Sequence, residues 1–367
     1  MADQLWSSGV LLFGLDGYLG FRAADSTFQD NRGNGITLDA PVSAATMIYP
    51  AGIYLEAVDC GIHRNGGNGI AYRVGTADPQ ITRGSAIAGG TWDIYPSPPA
   101  VLSLADKGDE PTSLGHGQGL VDRCTISNNG LATGGAGIRV YAESEDPAGG
   151  NARDAIVNTR FVNVFVWNNG GGAFLAQFLG DRAWLLTPLV HCTLIGNGAA
   201  APAYTAEVVP LQRANGQPSV GNFEWQETPS YYLRNRLFDS IFLEDPGNPA
   251  SPDFGLNLSA LLLGDNNPSG YLNNGLSIGA AGCRSYPNQT YLEWTDHAPP
   301  FAVTINLSSL APEQFFLQPA TGILNPDFDH TPPFLSVDAP ETAVDFLLTP
   351  RPAVSTGDRD KGAHQFE

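Results

Sequence analysis

The sequence predicts an all-β protein, a parallel β-helix in which short strands stack as a solenoid. Three observations predict it: a motif that recurs six times, apolar alternation inside each copy, and a turn of Asn and Gly after it. Residues 25–38 read DSTFQDNRGNGITL and residues 59–72 read DCGIHRNGGNGIAY. The 43 glycines and 28 prolines also indicate a chain rich in turns.

Each copy of the motif contributes three columns of stacked residues. The first column holds Ser26, Cys60, Cys124, Val164, Cys192 and Ser240; the second holds Phe28, Ile62, Ile126, Val166, Leu194 and Phe242; the third holds Asn31, Asn65, Asn129, Asn169, Asn197 and Asp245. Alternation with period two predicts a strand whose first two columns point inward. Asn and Gly tolerate left-handed backbone, so the third column predicts a tight turn. Stacking of like residues then predicts an asparagine ladder.

The spacing of the copies predicts how the chain is organised. Residues 1–331 form the helix, with long insertions near 75–118 and 199–235, and residues 332–367 form a closing segment that packs on it and covers its last coil. The 64 residues that separate Cys60 from Cys124 contain either one unrecognised coil or a long excursion. Small buried side chains suit the first column, so we expect Cys60, Cys124 and Cys192 to be free thiols.

Two stretches carry a resemblance to known families. RCTISNNG at 123–130 and HCTLIGNG at 191–198 resemble the repeat of right-handed parallel β-helix proteins of the pectate-lyase-like superfamily. Residues 332–367 are similar to the closing segment of choice-of-anchor Q surface and secreted proteins, although Arg351 stands where that pattern has Ser. The resemblance implies a right-handed helix and a surface or secreted protein. Members of this superfamily include polysaccharide lyases, glycoside hydrolases, tailspikes and adhesins, so the fold alone does not identify the function.

Composition limits the partners. The chain has 37 acidic and 18 basic residues and a net charge of −19, which repels nucleic acid and anionic membranes. No apolar run is long enough to span a membrane. We expect an extracellular or cell-surface protein whose export signal is missing from this sequence or that leaves the cell by another route.

One row of residues is the candidate catalytic and binding site. Immediately before the first column stand Asp25, Asp59, Arg123, Asn163, His191 and Asp239. If they project from one face, Arg123, His191 and Asp239 are candidate catalytic residues, and Asp59 and Asn163 are candidate ligand-binding residues, for an extended sugar polymer. The alternative is a solvated face whose opposite charges relieve one another.

Other candidates lie on the neighbouring face and in an insertion. The outward positions of the strand become apolar toward later coils, so we expect the insertion at 199–235 or another subunit to cover them. Trp167 and His63 on this face are candidate sugar contacts, with packing and surface roles as the alternatives. Asp106, Asp109 and Glu110 are weak candidates for Ca²⁺, the one cofactor considered, although their spacing is not that of an EF-hand.

Three functions remain open from the sequence. The first is a surface-exposed protein that presents an acidic elongated face, binding carbohydrate or serving an adhesive or structural role. The second is a polysaccharide-degrading enzyme, either a glycoside hydrolase or a lyase. The third is a virion spike or self-assembling fibre, which is favoured if Met1 is the native start and which self-associates through the apolar flank near Trp167, Ile195 and Leu243.

Overall fold

A computed structural model describes residues 8–13, 18–41, 51–75, 115–143, 155–179, 183–187, 189–197, 201, 203–208 and 344–351. It also describes short strands at 221–223, 237–238, 241–243, 254–256, 261–263, 284–286, 329–330 and 359–360. These parts contain strands and turns and no helix, hence no helix that is long and apolar enough to cross a membrane.

The strands follow one another in short lengths along the chain. The first coils contain β1 (Val10–Phe13), β2 (Tyr18–Ala24), β3 (Thr27–Gln29), β4 (Ile36–Pro41), β5 (Ala51–Val58), β6 (Gly61–His63), β7 (Ile70–Gly75), β8 (Gly115–Asp122), β9 (Thr125–Ser127) and β10 (Ile138–Glu143). The middle contains β11 (Ala155–Val162), β12 (Phe165–Trp167), β13 (Phe174–Leu179), β14 (Ala183–Leu186), β15 (Leu189–Val190), β16 (Thr193–Ile195), β17 (Tyr204–Val208) and β18 (Gly221–Phe223). The later strands are β19 (Leu237–Phe238), β20 (Ile241–Leu243), β21 (Phe254–Leu256), β22 (Leu261–Leu263), β23 (Arg284–Tyr286), β24 (Asp329–His330) and β25 (Arg359–Asp360).

Three parallel sheets stack these strands. Sheet A has the order β1-β4-β7-β10-β13-β17-β21, sheet B contains β2-β5-β8-β11-β14-β18-β22 with β15 and β19 beside them, and sheet C has the order β23-β20-β16-β12-β9-β6-β3. The chain passes through sheets B, C and A in turn, and each passage is one coil. The predicted fold class, an all-β right-handed parallel β-helix, is confirmed. We number the coils 1 to 7 by their strands in sheet C.

The pairing register explains the long gap between the second and third copies. Strands β5, β6 and β7 pair directly with β8, β9 and β10, with Gly61 opposite Thr125. Coil 2 therefore lies directly on coil 3, and no unrecognised coil lies between them. The extra residues lie between the end of β7 at Gly75 and the start of β8 at Gly115, outside the described residues. Residues 115–118, interpreted as the end of the insertion, belong to β8.

The later coils differ from the sequence interpretation in two respects. The stretch 199–235, interpreted as one insertion, contains β17 and β18, which take places in sheets A and B. A seventh copy was missed: Phe242 pairs with Ser285. Its signature is present in the sequence, where Cys283, Ser285 and Asn288 have the spacing of the three columns.

The core consists of the inward columns of all three sheets. Ile62, Ile126, Val166 and Leu194 of sheet C are buried in successive coils. On sheet A, the Phe174 ring stacks on Tyr204 with a 5.2 Å centroid distance. Each such side chain contributes about 1.5–3 kcal/mol on burial, so the columns supply most of the driving force for stacking.

The predicted asparagine ladder is present in the first four coils. Each side-chain amide donates to the Oδ1 atom of the next coil: Asn31 to Asn65 at 2.8 Å, Asn65 to Asn129 at 2.8 Å, and Asn129 to Asn169 at 2.9 Å. The backbone N–H of the same donor residue bonds the same oxygen in each step. At coil 5 the ladder changes, because the Asn197 amide donates to the backbone oxygen of Asn169.

The ladder also explains the glycine that precedes the first four strands of sheet A, at Gly9, Gly35, Gly69 and Gly137. A Cβ atom on Gly69 would lie 2.9 Å from Asn129 Nδ2 and 2.6 Å from the carbonyl oxygen of Gly137. Neither atom can move without breaking a bond of the stack. The repeated Asn and Gly positions therefore form one unit, a stacked amide and the space that it needs.

Candidate functional site

The candidate row occupies the corner between sheets B and C. Its described members share a left-handed backbone, with φ of 48° at Asp25, 54° at Asp59, 48° at Arg123, 53° at Asn163 and 50° at His191. We call these five residues the corner row. Asp, Asn and His are found in this conformation more often than other residues, whereas Arg adopts it at a cost of about 1–2 kcal/mol. Asp239 lies outside the described residues.

Charges within the corner row pair with each other. Arg123 Nε donates to Asp59 Oδ1 at 2.7 Å, and its Nη2 donates to Asp59 Oδ2 at 2.9 Å. Its remaining terminal nitrogen contacts Asp122. The hydrogen bonds to Asp59 raise the pKa of Arg123, and partial burial acts in the opposite direction. This part of the row has the paired charges of the alternative interpretation.

The row becomes buried toward the later coils. Asn163 and His191 are both 0 % exposed, so their side chains do not present a solvated face. The Asn163 amide donates to Asp122 Oδ1 at 3.3 Å and to the Val344 carbonyl oxygen at 3.0 Å, and it accepts from Arg351 Nη2 at 3.1 Å. Arg123, Asp122, Asn163 and Arg351 thus form one continuous polar network. Of the candidate catalytic residues, His191 is therefore enclosed in this network's surroundings and Arg123 is held by carboxylates, while Asp239 lies outside the described residues.

Residues 344–351 cover this end of the row, and we call them the clasp. Val344 and Pro350 form an antiparallel bridge, and Asp345 Oδ1 accepts from the N–H groups of Leu347 and Thr349 at 2.8 and 2.7 Å. The Phe346 ring packs edge-on against Phe165, with centroids 5.0 Å apart. The clasp thus lies beside coil 4, and these contacts are on the side of the stack rather than over its last coil.

The apolar flank of sheet C is covered, as its composition predicted. Phe165, Trp167, Thr193 and Ile195 are all buried, and Trp167 is only 3 % exposed. The described part of the cover is the clasp, through Phe346. The insertion at 199–235 was expected to provide this cover, and its aromatic residues Trp225, Tyr231 and Tyr232 lie outside the described residues. Trp167 does not offer an open ring face to a sugar in this conformation.

His63 is held in a polar contact between two coils. Its Nδ1 atom lies 2.9 Å from Ser127 Oγ and its Nε2 atom 3.1 Å from Thr125 Oγ1, and the ring lies 6.4 Å from the Trp167 ring between centroids. Burial, and then the charge of Arg64, lower the pKa of His63. Both ring nitrogens contact hydroxyl groups of coil 3, so the half-buried His63 helps coil 2 pack on coil 3, whereas the alternative weighed for this residue was an exposed surface role.

The predicted calcium candidates cannot be assigned a geometry. Asp106, Asp109 and Glu110 lie outside the described residues. Within the ranges that the structure describes, no group of three or more His, Cys, Asp or Glu side chains could hold a metal ion.

A cluster that the sequence analysis missed lies on the outer face of sheet A. Arg73 Nη1 donates to the carboxylate of Asp39 at 3.1–3.2 Å, and Arg139 Nε donates to Gln177 Oε1 at 2.7 Å. Both guanidiniums lie over the ring of Tyr141, at 5.9 and 5.8 Å from its centroid. We call these five residues the Tyr141 platform. They come from four consecutive coils.

Only the register of sheet A reveals this platform. Asp39 pairs with Arg73, Arg73 with Tyr141, and Tyr141 with Gln177, so the four stand in one outward column. In the sequence, each of the four directly follows an inward-pointing residue of its own strand. These inward residues are Leu38, Tyr72, Val140 and Ala176. The period-two alternation continues in the strand after the Asn turn, and it predicts that these four residues point outward.

No family model, curated protein or solved structure matches the chain. The resemblance to pectate-lyase-like and choice-of-anchor Q proteins therefore stays a prediction.

Proposed function

We propose that the protein is an extracellular or surface-exposed β-helix that binds a neutral carbohydrate through the outer face of sheet A. The Tyr141 platform carries this proposal. It combines a phenol, two guanidiniums, an amide and a carboxylate, which are the planar polar and aromatic groups that bind the hydroxyls and the apolar faces of sugars.

The platform is ordered before any ligand arrives. Long Arg side chains lose rotamer entropy when a ligand immobilises them, and this loss normally weakens binding. Here Asp39 already holds Arg73 and Gln177 already holds Arg139. The Arg73 side chain is still 24 % exposed, and the Arg139, Tyr141 and Gln177 residues are half-buried. The groups are therefore fixed and still accessible.

The geometry of the sheet suits a polymer. Neighbouring strands of a sheet lie about 4.8 Å apart, which is close to the length of one pyranose unit in an extended glycan. Arg73, Tyr141 and Gln177 stand on three consecutive strands. A glycan that runs along the helix axis would meet one polar or aromatic side chain per sugar unit.

Charge favours a neutral ligand over an acidic one. The chain carries a net charge of −19, and Asp39 contributes a buried carboxylate to the platform. A uronate polymer would meet a repulsive field unless a cation intervened. A neutral glycan is not repelled by this field.

The surroundings of Arg123 and His191 in the corner row do not favour degradation. Catalysis by Arg123 would require it to leave two carboxylates, Asp59 and Asp122, and His191 is enclosed within the fold. The fibre alternative also loses support, because Trp167 and Ile195 of its proposed interface are buried within the chain.

The test is a glycan array of neutral and acidic polymers, followed by titration calorimetry with the strongest binder. Tyr141→Ala and Arg139→Ala should each weaken binding by about tenfold or more, because aromatic and Arg anchors usually dominate such contacts. Arg22→Ala is a matched control, since Arg22 lies over the Tyr54 ring at 5.8 Å on sheet B. It should leave affinity unchanged.

Product analysis of the same incubations separates recognition from catalysis. Release of new reducing ends would show that the enzyme alternative is correct. Binding that Arg22→Ala weakens as much as Tyr141→Ala would place the ligand elsewhere. Equal affinity of wild type and Tyr141→Ala would rule out the platform.

A further inference from the structure

Two of the cysteines occupy adjacent coils. Cys60 and Cys124 immediately precede Gly61 and Thr125, which pair across sheet C, and the Thr125 N–H donates to the Cys60 carbonyl oxygen at 2.9 Å. Paired positions of neighbouring strands lie about 4.8 Å apart. This separation falls within the range of about 4.4–6.8 Å that a disulfide bridges between Cα atoms. The two thiols therefore need little backbone movement to join.

Both sulfur atoms lie near backbone carbonyl groups: the Cys60 thiol donates to Val58 O at 3.2 Å, and Cys124 Sγ lies 3.3 Å from Asp122 O. Cys60 and Cys124 are free thiols, both buried, and the neighbouring Cys124 thiol lowers the pKa of Cys60 against the effect of burial. Burial, and then the neighbouring Cys60 thiol, raise the pKa of Cys124. Cys124 also reaches toward coil 2, with its sulfur 3.4 Å from the Ala57 carbonyl oxygen. The pair thus contains one thiol that ionises more readily and one that remains a proton donor.

The other cysteines lack this arrangement. In coil 4, which lies between the coils of Cys124 and Cys192, the first-column residue is Val164. Cys192 therefore has no cysteine at the matching position of coil 4. Burial raises the pKa of Cys192 to about 12. By its spacing Cys283 belongs to coil 7, and Ser240 precedes it in the column. Cys60 and Cys124 are the one pair of cysteines in successive copies.

We propose that Cys60 and Cys124 are an oxidation site that hydrogen peroxide converts to a disulfide between coils 2 and 3. The Cys60 thiolate attacks one peroxide oxygen, the O–O bond breaks, and a sulfenic acid and one water form after proton uptake. The Cys124 thiol then attacks the sulfenic sulfur, the S–S bond forms, and the hydroxyl leaves as a second water with the thiol proton. Two thiols and one peroxide give one disulfide and two waters.

Coil 1 gives a small oxidant its path to the pair. Ser26 and Phe28 of coil 1 are the neighbours of Cys60 and Ile62 in the first and second columns. Ser26 and Phe28 are only half-buried. Local opening of one coil costs less than global unfolding, because each coil contacts only its neighbours. Peroxide is small enough to enter through such an opening.

The disulfide would close a long loop. The chain between the two cysteines includes every residue between the end of β7 and the start of β8. Closing a loop of this length reduces the freedom of the unfolded chain, so the oxidised protein should melt at a temperature higher by about 5 °C.

The test uses the full-length chain, reduced and then treated with hydrogen peroxide at substoichiometric and equimolar ratios. The expected result is a mass lower by two hydrogens, two of four titratable thiols lost, and a crosslinked peptide joining Cys60 to Cys124. Cys60→Ala and Cys124→Ala should each abolish the crosslink, whereas Cys192→Ala should retain it. The Tm rise should disappear on reduction.

Three results would overturn the proposal. The first is an oxygen adduct on Cys60 with no crosslink. The second is a crosslink through Cys192 or Cys283. The third is survival of all four thiols in the folded chain under peroxide that oxidises the urea-unfolded chain. None of these results bears on glycan binding, because the Tyr141 platform contains no cysteine.

Discussion

Arg351 Nη2 donates a hydrogen bond to Asn163 Oδ1 at 3.1 Å, joining residues 188 positions apart in the sequence. The bond links the clasp to the corner row at a site where both residues are buried. Arg351 is also one of the positions at which the sequence departs from the predicted choice-of-anchor Q resemblance, with Arg in place of Ser. The departure therefore has a structural partner, Asn163.

Removing this link should destabilise the clasp. We expect Arg351→Ala to lower the free energy of unfolding by about 1.5–3 kcal/mol, because it removes a charged donor from a buried acceptor. Urea titration of the Trp fluorescence would measure this change. The control is Arg64→Ala, which removes the exposed Arg64–Asp30 pair and should have a much smaller effect. Equal losses in the two variants would contradict the assignment.

Phe346→Ala tests the apolar half of the clasp. The substitution removes the aromatic contact that Phe346 makes with the Phe165 ring and exposes part of the flank. We expect stronger binding of a hydrophobic dye and concentration-dependent association, measured by light scattering. Leu347→Ser is the matched control, because Leu347 is 50 % exposed and should not change either property.

Asn129 is the central position of the asparagine ladder. Asn129→Ala leaves the amide of Asn65 and the carbonyl of Ile62 without their side-chain partners, both in the interior. We expect a loss of about 3 kcal/mol in the free energy of unfolding. Asn128→Gly, one residue earlier, keeps the left-handed backbone and removes an outward amide, so it should cost far less. A similar cost for both would mean that the ladder adds no stability beyond the turn.

Gly69→Ala tests the space that the ladder needs. The added methyl would meet Gly137 O and Asn129 Nδ2 closer than real contacts allow, so we expect a severe loss of stability or failure to fold. Gly134→Ala provides the comparison, because nothing lies within 4 Å of its Cβ position and only its φ of +76° opposes the change. That strain should cost about 1 kcal/mol. Thermal melts of the two purified variants would rank them.

His63 should make stability depend on pH. Its folded-state pKa is lowered by burial, so the unfolded chain binds the proton more readily than the folded chain does. Stability is therefore complete above the unfolded pKa of about 6.5 and falls as pH decreases below it. We expect His63→Gln to reduce this slope, as measured by urea unfolding at several pH values. An unchanged slope would assign the dependence to other groups.

The fold was predictable because a β-helix repeats one local arrangement, a short strand followed by an Asn turn and a second strand. Phe28, Ile62, Ile126, Val166, Leu194 and Phe242 were aligned from spacing alone, and all six pair in that register. The ladder from Asn31 to Asn169 follows from the same spacing. Period-two alternation and the Asn turn are visible in each copy, so no long-range information is required.

The sites were less predictable because they depend on contacts between distant parts of the chain. Spacing placed Asn163 and His191 in the correct row but assigned them to an open surface, since nothing in the repeat shows that the clasp returns to coil 4. The Tyr141 platform requires the register of sheet A, across loops of unequal length. The position of Arg123 in the row was predicted correctly. Its ion pair with Asp122 was not predicted, because Asp122 precedes the row by one residue and belongs to none of the aligned columns.

The clasp also determines when the protein becomes complete during synthesis. Coils contact their neighbours, so the helix can assemble in order as the chain leaves the ribosome. The contacts at Asn163 require residues 344 and 351, which are made about 180 positions later. Until then the flank around Phe165 lacks this cover, and a ribosome that stalls before the clasp releases a chain with an apolar surface that chaperones and proteases can recognise.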